Sequence, residues 1–224
     1  MPPRPSRNLD LALLQAGREL FPDRGCAAMS VREVAEKAGV NLGMFHYHFK
    51  SRDAYLRSLM QLGYEEMFSK LTLVDEQAGD TVERLRYALR TISRFVRDNR
   101  RFVARLLTDA LNGEAIARDF LHENLPRHLS VVRGLIAAGQ REGAFAPVPV
   151  PQAMGVCVGS LAFPVLAGGA MVDSGMLDAQ TVRMIDTVLV SNEALDQRIE
   201  MAIRGISQSK PVRARRAKPS RGKK

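Results

Sequence analysis

The stretch SVREVAEKAGVNLGMFHYHFKSRD, from Ser30 to Asp53, decides the fold of this chain because it spells two short helices joined by a tight turn. Ser30 and Glu33 form an S-x-x-E capping box, which predicts the start of the first helix. Gly39 follows its last turn, where glycine accepts the left-handed conformation that ends helices. Asn41 predicts the cap of a second helix, LGMFHYHF. This spacing is typical of a helix-turn-helix, whose second helix lies in the major groove of DNA.

Residues 7–67 resemble the DNA-binding domain of TetR-family transcriptional regulators. A first helix ends in L-F-x-x-x-G, and the pattern S-V-R-x-V-A-x-x-A-G-V-x-x-G-x-F-x-x-H-F-K-S-R-D follows. The matching positions are Leu20, Phe21, Gly25, Ser30, Val31, Arg32, Val34, Ala35, Ala38, Gly39, Val40, Gly43, Phe45, His48, Phe49, Lys50, Ser51, Arg52 and Asp53. One position departs from the family: His46 replaces a tyrosine that contacts phosphate, and Tyr47 follows it.

The periodicity of apolar residues predicts an all-α fold in three segments. We expect a helix-turn-helix domain at 1–52, a helical ligand-binding and dimerisation domain at 53–205, and a disordered tail at 206–224. A long helix from Ser51 to about Leu73 joins the first two segments. Further helices are predicted at 81–99, 101–111, 114–142, 153–172 and 178–206, with Pro126 expected to kink or split the third of these. The tail carries eight of the basic residues behind the net charge of +9 and no acidic residue.

The resemblance implies that the protein is a homodimer that binds a palindromic DNA operator, most often as a repressor. Arg32 resembles a family position that reaches phosphate or a guanine edge. Leu42, Gly43 and Met44 take base-facing positions at the exposed start of the second helix. Phosphate contacts, which fix register rather than read sequence, are expected from Asn41, His46, Tyr47, Lys50 and Arg52.

The resemblance further implies that a small molecule binds inside the C-terminal domain and resets the spacing of the two DNA-binding domains. The expected pocket wall consists of Phe68, Leu89, Phe102, Leu106, Phe120, Leu121, Leu125, His128 and Phe163. Each of these side chains could equally be plain core, since most apolar helical positions are buried for packing. The set has no acidic or basic cluster, which favours an apolar or weakly polar effector.

The segment Ala153–Val172 is uncharged over twenty residues and contains a G-x-x-x-G at Gly155 and Gly159. That pattern fits a membrane-spanning helix, and it equally fits a helix buried in a soluble core or subunit interface. The resemblance favours a four-helix bundle across a dimer two-fold, with an interface made by Gly155, Gly159, Val182, Ile185, Leu189 and Ile199. A membrane-associated protein that uses this span and the basic tail is the alternative.

No catalytic arrangement is visible, so we do not expect an enzyme. The four histidines have no H-E-x-x-H spacing and no nucleophile elbow, and we expect neither a metal nor a cofactor. Cys26 and Cys157 are too far apart in sequence for a disulfide framework and fit buried thiols in a reducing cytoplasm. The polar, proline-rich start predicts no signal peptide, which again indicates a cytoplasmic protein.

Overall fold

The computed structural model describes residues 8–76 and 79–208, so most of the predicted tail lies outside the described residues. Within those ranges the chain forms eleven α-helices and no strand, as the periodicity predicts. They are α1 (Leu9–Ala28), α2 (Val31–Lys37), α3 (Leu42–Phe49), α4 (Arg52–Thr72), α5 (Thr81–Asp98), α6 (Arg100–Leu111), α7 (Ala115–Arg141), α8 (Val150–Met154), α9 (Ser160–Asp173), α10 (Ala179–Ile185) and α11 (Asn192–Ile206).

Aromatic side chains hold the first three helices against the start of α4. Phe45 and Phe49 of α3 are buried, and each ring lies 5.0 Å from the ring of Tyr55. The hydroxyl of Tyr55 crosses the core and donates a hydrogen bond of 2.8 Å to the carbonyl of Leu13. A Cβ at Gly17 would lie 1.8 Å from that hydroxyl, so only glycine fits there.

The helix-turn-helix is capped largely as its sequence predicts. The hydroxyl of Ser30 accepts from the backbone N–H of Glu33, and Asn41 Oδ1 accepts from the N–H of Met44 at 2.9 Å. Gly39, in the turn, has a φ of +66°. The capping box is one-sided, because the carboxylate of Glu33 binds the guanidinium of Arg24 instead of the N–H of Ser30.

Helix α1 ends later than the sequence predicts, and its end is held by α6. Gly25 interrupts the helix with φ 63° and ψ −168°. Beyond it, the N–H of Cys26 donates to the buried carboxylate of Asp109 at 2.6 Å. Arg105 completes this joint, with Nε on Asp109 at 2.8 Å and Nη2 on the carbonyl of Arg24 at 3.1 Å. Burial raises the pKa of Cys26 to about 12, so it is a neutral thiol here.

Two long helices of the C-terminal domain differ from their predictions. Helix α7 continues through Pro126, so the predicted split is wrong. The predicted helix at 178–206 is broken at Ser191, whose ψ of 159° leaves the helical region. The hydroxyl of Ser191 accepts from the N–H of Ala194 and starts α11 in a new direction, packed on α5. Arg90 and Asp196 link those two helices at 2.8 Å.

The uncharged segment belongs to one long helix. Helix α8, a π-helical turn at Gly155–Gly159 and α9 continue into one another from Val150 to Asp173, so this helix begins three residues before the predicted 153–172. By length and composition this helix alone, among the described residues, could cross a membrane. One face is buried against α5 and α6, and the other carries exposed apolar side chains.

The glycine at the end of α1 gives a stability test. We expect Gly25→Ala to lower the free energy of unfolding by about 1–3 kcal/mol, because its backbone conformation is nearly exclusive to glycine. A Cβ there would also lie 2.1 Å from Nε of Arg105. The control is Gly134→Ala in α7, where a Cβ meets nothing within 4 Å. This control should gain up to about 1 kcal/mol from helix propensity. Urea denaturation measures the free energy of unfolding of both variants. An equal change in the two variants would contradict the assigned role of Gly25.

Candidate functional site

Helix α3 presents one face to solvent and buries the other. Its exposed side chains follow helical spacing and belong to Leu42, His46 and Tyr47, the last of these 69% exposed. Gly43 is exposed between them, and Met44 is half-buried. Because the face opposite Phe45 and Phe49 is free of neighbouring elements, α3 can enter a groove without any rearrangement of its own domain.

Unpaired positive charge lies close to this helix in sequence. Arg24 pairs with Glu33 at 2.7 Å and Lys37 pairs with Glu19 at 2.9 Å, so these two cations are already neutralised. Exposed Arg32, in the first turn of α2, and exposed Lys50, just after α3, have no acidic partner among residues 8–76 and 79–208. Both therefore remain available for phosphate or base contacts.

Arg52 is engaged within the protein, which gives its guanidinium a structural role besides the predicted phosphate contact. Its Nε donates to the carbonyl of Met29 at 2.9 Å, and its Nη2 donates to the carbonyl of Ala27 at 3.0 Å. The guanidinium thus ties the end of α1 to the start of α4. Asn41 also has a structural task, since its side-chain oxygen caps α3.

An apolar cavity of about 340 Å³ lies inside the C-terminal domain, between α4, α5, α6, α7 and α9. This volume is at the small end of the range for ligand pockets. Six of the expected wall residues line it, namely Phe102, Leu106, Phe120, Leu121, Leu125 and His128. The remaining wall is formed by Met60, Tyr64, Met67, Ile92, Phe95, Val96, Val103, Leu107, Asn124, Leu129, Val158, Ala162 and Leu166.

Three expected wall residues lie elsewhere. Leu89 is buried in the core beside a much smaller void. Phe68 points past the cavity, stacks on the ring of Tyr64 and lies 4.1 Å beneath the guanidinium of Arg127. Phe163 is 73% exposed on the outer face of α9. Apolar character alone cannot separate these positions, because each occupies a helix that also contributes to the cavity wall.

Three polar side chains line the cavity, those of Tyr64, Asn124 and His128. The hydroxyl of Tyr64 donates to the carbonyl of Asn124 at 2.7 Å and lies 3.3 Å from Nδ1 of His128. Burial lowers the pKa of His128 to about 4, so the imidazole is neutral at pH 7. Burial also raises the pKa of Tyr64 to about 12.

One wall of the cavity is shared with the DNA-binding domain. Phe102 lines the cavity and stacks on Phe21 of α1, with ring centroids 4.2 Å apart. One turn further along α6, Leu106 lines the cavity beside Arg105, whose guanidinium binds the end of α1. The sequence contains no signal for this joint, since Cys26 and Asp109 are 83 residues apart.

An exposed apolar face covers the outer side of the long helix, of α10 and of the π-helical turn Asp186–Val190 that follows α10. Its large side chains are Val156, Phe163, Met171, Met184 and Val188, each at least 47% exposed. Gly155 and Gly159 lie on this helix with open space where a Cβ would be. The predicted interface is corrected at two positions, because Ile199 is fully buried towards α5 and Ile185 is buried against Gly168. Leu189 also contacts Gly168, and Val182 is half-buried.

The comparisons with known proteins agree with this geometry. Residues 13–59 match the family model of bacterial regulatory proteins, tetR family. The chain is 30% identical over 84 residues to the HTH-type transcriptional repressor KstR2 of Mycolicibacterium smegmatis, which covers 38% of this chain. The match spans only 40% of that relative's length.

Solved structures extend the likeness in fold to most of the chain. The ketosteroid transcriptional regulator KstR2 of Mycobacterium tuberculosis superposes with a TM-score of 0.68 at 17% identity, covering 89% of this chain and 95% of that one. The regulator FadR of Bacillus subtilis, in complex with stearoyl-CoA, gives 0.61 at 18% identity, covering 81% and 98%. The matched proteins are transcriptional regulators, and the membrane alternative finds no support among them.

The buried histidine predicts a pH dependence of stability. Its pKa is about 4 when folded and 6.5 in the unfolded chain. Between those values the unfolded chain holds a proton that the folded protein lacks, so stability falls as pH falls from about 6.5 towards 4. We expect His128→Leu to unfold with a weaker dependence on pH in this window, measured by urea denaturation. His122→Leu, exposed on the same helix, is the control. Identical pH profiles for His128→Leu and the wild type would contradict the assignment.

Proposed function

Since this chain carries a TetR-family DNA-binding domain on the fold of TetR-type regulators, we propose that it is a dimeric regulator of transcription in the bacterial cytoplasm. It binds a palindromic operator, acts as a repressor where that operator overlaps a promoter, and is released by a small apolar effector. The observation that carries this proposal is the exposed face of α3 beside unpaired Arg32 and Lys50. The role is recognition of DNA rather than catalysis.

On the operator, α3 enters the major groove with its N-terminal residues on the bases. Leu42 and Met44 contact thymine methyl groups, and Gly43 permits close approach of the backbone. Arg32 supplies the directional contact, a pair of hydrogen bonds to O6 and N7 of guanine. The side-chain amide of Asn41, together with His46, Tyr47 and Lys50, binds the phosphate backbone and fixes the register.

The apolar face of the long helix and α10 forms the dimer interface. Exposed apolar patches of this kind mark association surfaces in soluble proteins. The two protomers pair this face about a two-fold axis, so that Gly155 and Gly159 allow close approach of the backbones. Such a dimer presents two copies of α3 to the two halves of a palindrome.

The effector binds in the cavity, and the stacked rings of Phe102 and Phe21 couple its binding to the position of α1. Stearoyl-CoA is the ligand named for FadR of Bacillus subtilis, and ketosteroid is named for KstR2 of Mycobacterium tuberculosis. The wall of this cavity is also apolar and suits an apolar molecule. The basic residues at 209–224 lie outside the described residues and enter the proposal only as a non-specific attraction to DNA.

The DNA contacts are tested on an operator selected from genomic fragments. We expect Arg32→Ala to weaken operator binding by about 1–3 kcal/mol and to relax the base preference at one guanine, because a bidentate contact is lost. Fluorescence anisotropy against operator variants measures both. Arg133→Ala, exposed on α7, is the matched control and should bind like the wild type. If Arg32→Ala kept full affinity and preference, the assigned reading role would be wrong.

A charged side chain at the centre of the apolar face tests the proposed dimer interface. We expect Phe163→Glu to shift the protein towards a monomer in sedimentation velocity and to lose operator binding, since one half-site provides too few contacts. Leu111→Glu changes an even more exposed apolar residue at the end of α6 and should remain a dimer. A wild-type protein that sediments as a monomer at micromolar concentration would overturn the dimeric mechanism.

A further inference from the structure

The polar groups of the cavity lie together on α4 and α7. They belong to Tyr64, Asn124 and His128, whereas the other side chains of the wall are hydrocarbon or thioether. No charged residue stands among the residues that line the cavity. A buried part of any ligand must therefore be uncharged or must leave its charge unpaired, which is costly in an apolar site.

The hydrogen bonds around Tyr64 decide which nitrogen of His128 carries the proton. Tyr64 has one hydroxyl hydrogen, and the contact of 2.7 Å places it on the carbonyl of Asn124. In its contact with Nδ1 of His128, at 3.3 Å, the hydroxyl oxygen can then act only as a hydrogen-bond acceptor. This contact favours the neutral tautomer that is protonated at Nδ1, in which Nε2 keeps a free lone pair.

The other polar groups are already occupied. The side-chain amide of Asn124 donates to the carbonyl of Phe120 and exchanges hydrogen bonds with Gln61, and its oxygen also accepts from Arg127. Arg127, the nearest cation, lies outside the wall and is bound by Glu65. The imidazole of His128 also lies within hydrogen-bonding reach of the backbone of Asn124. Within the described part of the chain, no hydrogen bond to Nε2 of His128 is found. It is the acceptor that this cavity offers.

We propose that the cavity selects an uncharged, largely apolar molecule that carries one hydrogen-bond donor, a hydroxyl or N–H group, bound to Nε2 of His128. This inference rests on the proposed function for the identity of the cavity as an effector site. A carboxylate is disfavoured because it would face the lone pair of Nε2 with no cation in the wall. A quaternary ammonium group is disfavoured because it has no donor hydrogen and finds no carboxylate there.

The test uses probes that share one alkyl chain and differ in the polar group. N-phenyl-1-naphthylamine, an uncharged apolar fluorophore with one N–H, reports occupancy, and the absence of tryptophan from the chain keeps the background low. The competitors are decan-1-ol, decyl methyl ether, decanoate and decyltrimethylammonium, titrated at about pH 8 without DNA. We expect decan-1-ol to displace the fluorophore at a concentration at least about tenfold lower than either ion.

Two variants test whether the ligand's donor group binds His128. The fluorophore's own N–H can also bind Nε2, so each displacement is corrected for the affinity of the fluorophore for the same variant. His128→Leu should then weaken binding of decan-1-ol about two- to tenfold, as expected for one hydrogen bond, and should leave binding of decyl methyl ether unchanged because the ether has no donor. His122→Leu on the same helix is the control and should match the wild type. Equal loss for alcohol and ether would indicate altered packing and overturn the proposal, as would a preference for decanoate in the wild type.

This binding test is separate from the test of regulation. Selective binding of decan-1-ol that leaves the operator complex intact would support the cavity chemistry and count against release by an effector of this class. Operator binding that responds only to a charged small molecule would support the regulator and overturn the ligand class.

Discussion

The buried carboxylate of Asp109 is the contact on which the arrangement of the two domains depends. It accepts the N–H of Cys26 where α1 turns at Gly25, and it holds Arg105, which binds the same turn through the carbonyl of Arg24. A buried carboxylate without these partners would be strongly unfavourable, so the end of α1 must stay on α6. Because α2 begins three residues after α1 ends, the orientation of the helix-turn-helix follows from this joint.

The same helix, α6, connects the joint to the cavity. Phe102 and Leu106 face the cavity on the helix that carries Arg105 and Asp109, so a ligand that displaces these two side chains must also displace the support of α1. Couplings of this kind are typically worth about 1–3 kcal/mol, which changes operator affinity by about 5- to 150-fold. A ligand produces that change only by its differential affinity for the two arrangements. The stack of Phe102 on Phe21 is the contact through which a ligand in the cavity can favour one arrangement of α1 over another.

The sequence was sufficient for the DNA-binding domain and insufficient for the joint and the cavity. Caps such as Ser30 and Asn41 are local, and their hydrogen bonds span three residues, so the pattern contains them. The joint between Cys26 and Asp109 spans 83 residues, and no local pattern records it. Phe163 and Phe102 are both apolar residues in helices, and only the packing directs one outward and the other into the cavity. The hydrogen bonds of Arg52 could not be predicted from sequence, because their acceptors are backbone carbonyls, which every residue has.

In the proposed dimer, the long helix from Val150 to Asp173 connects the cavity to the spacing of the two DNA-binding domains. Val158, Ala162 and Leu166 line the cavity from its inner side, while Val156 and Phe163 stand on the face assigned to the second copy. In the proposed operator complex, Leu42 and Met44 discriminate bases only weakly, because apolar contacts sense little more than a thymine methyl. Operator choice in the proposed dimer must then depend on the distance between two correctly spaced half-sites as well as on Arg32. In the proposed dimer, a ligand that shifts this one helix alters that distance directly, in addition to its effect on α1 through the stack of Phe102 on Phe21.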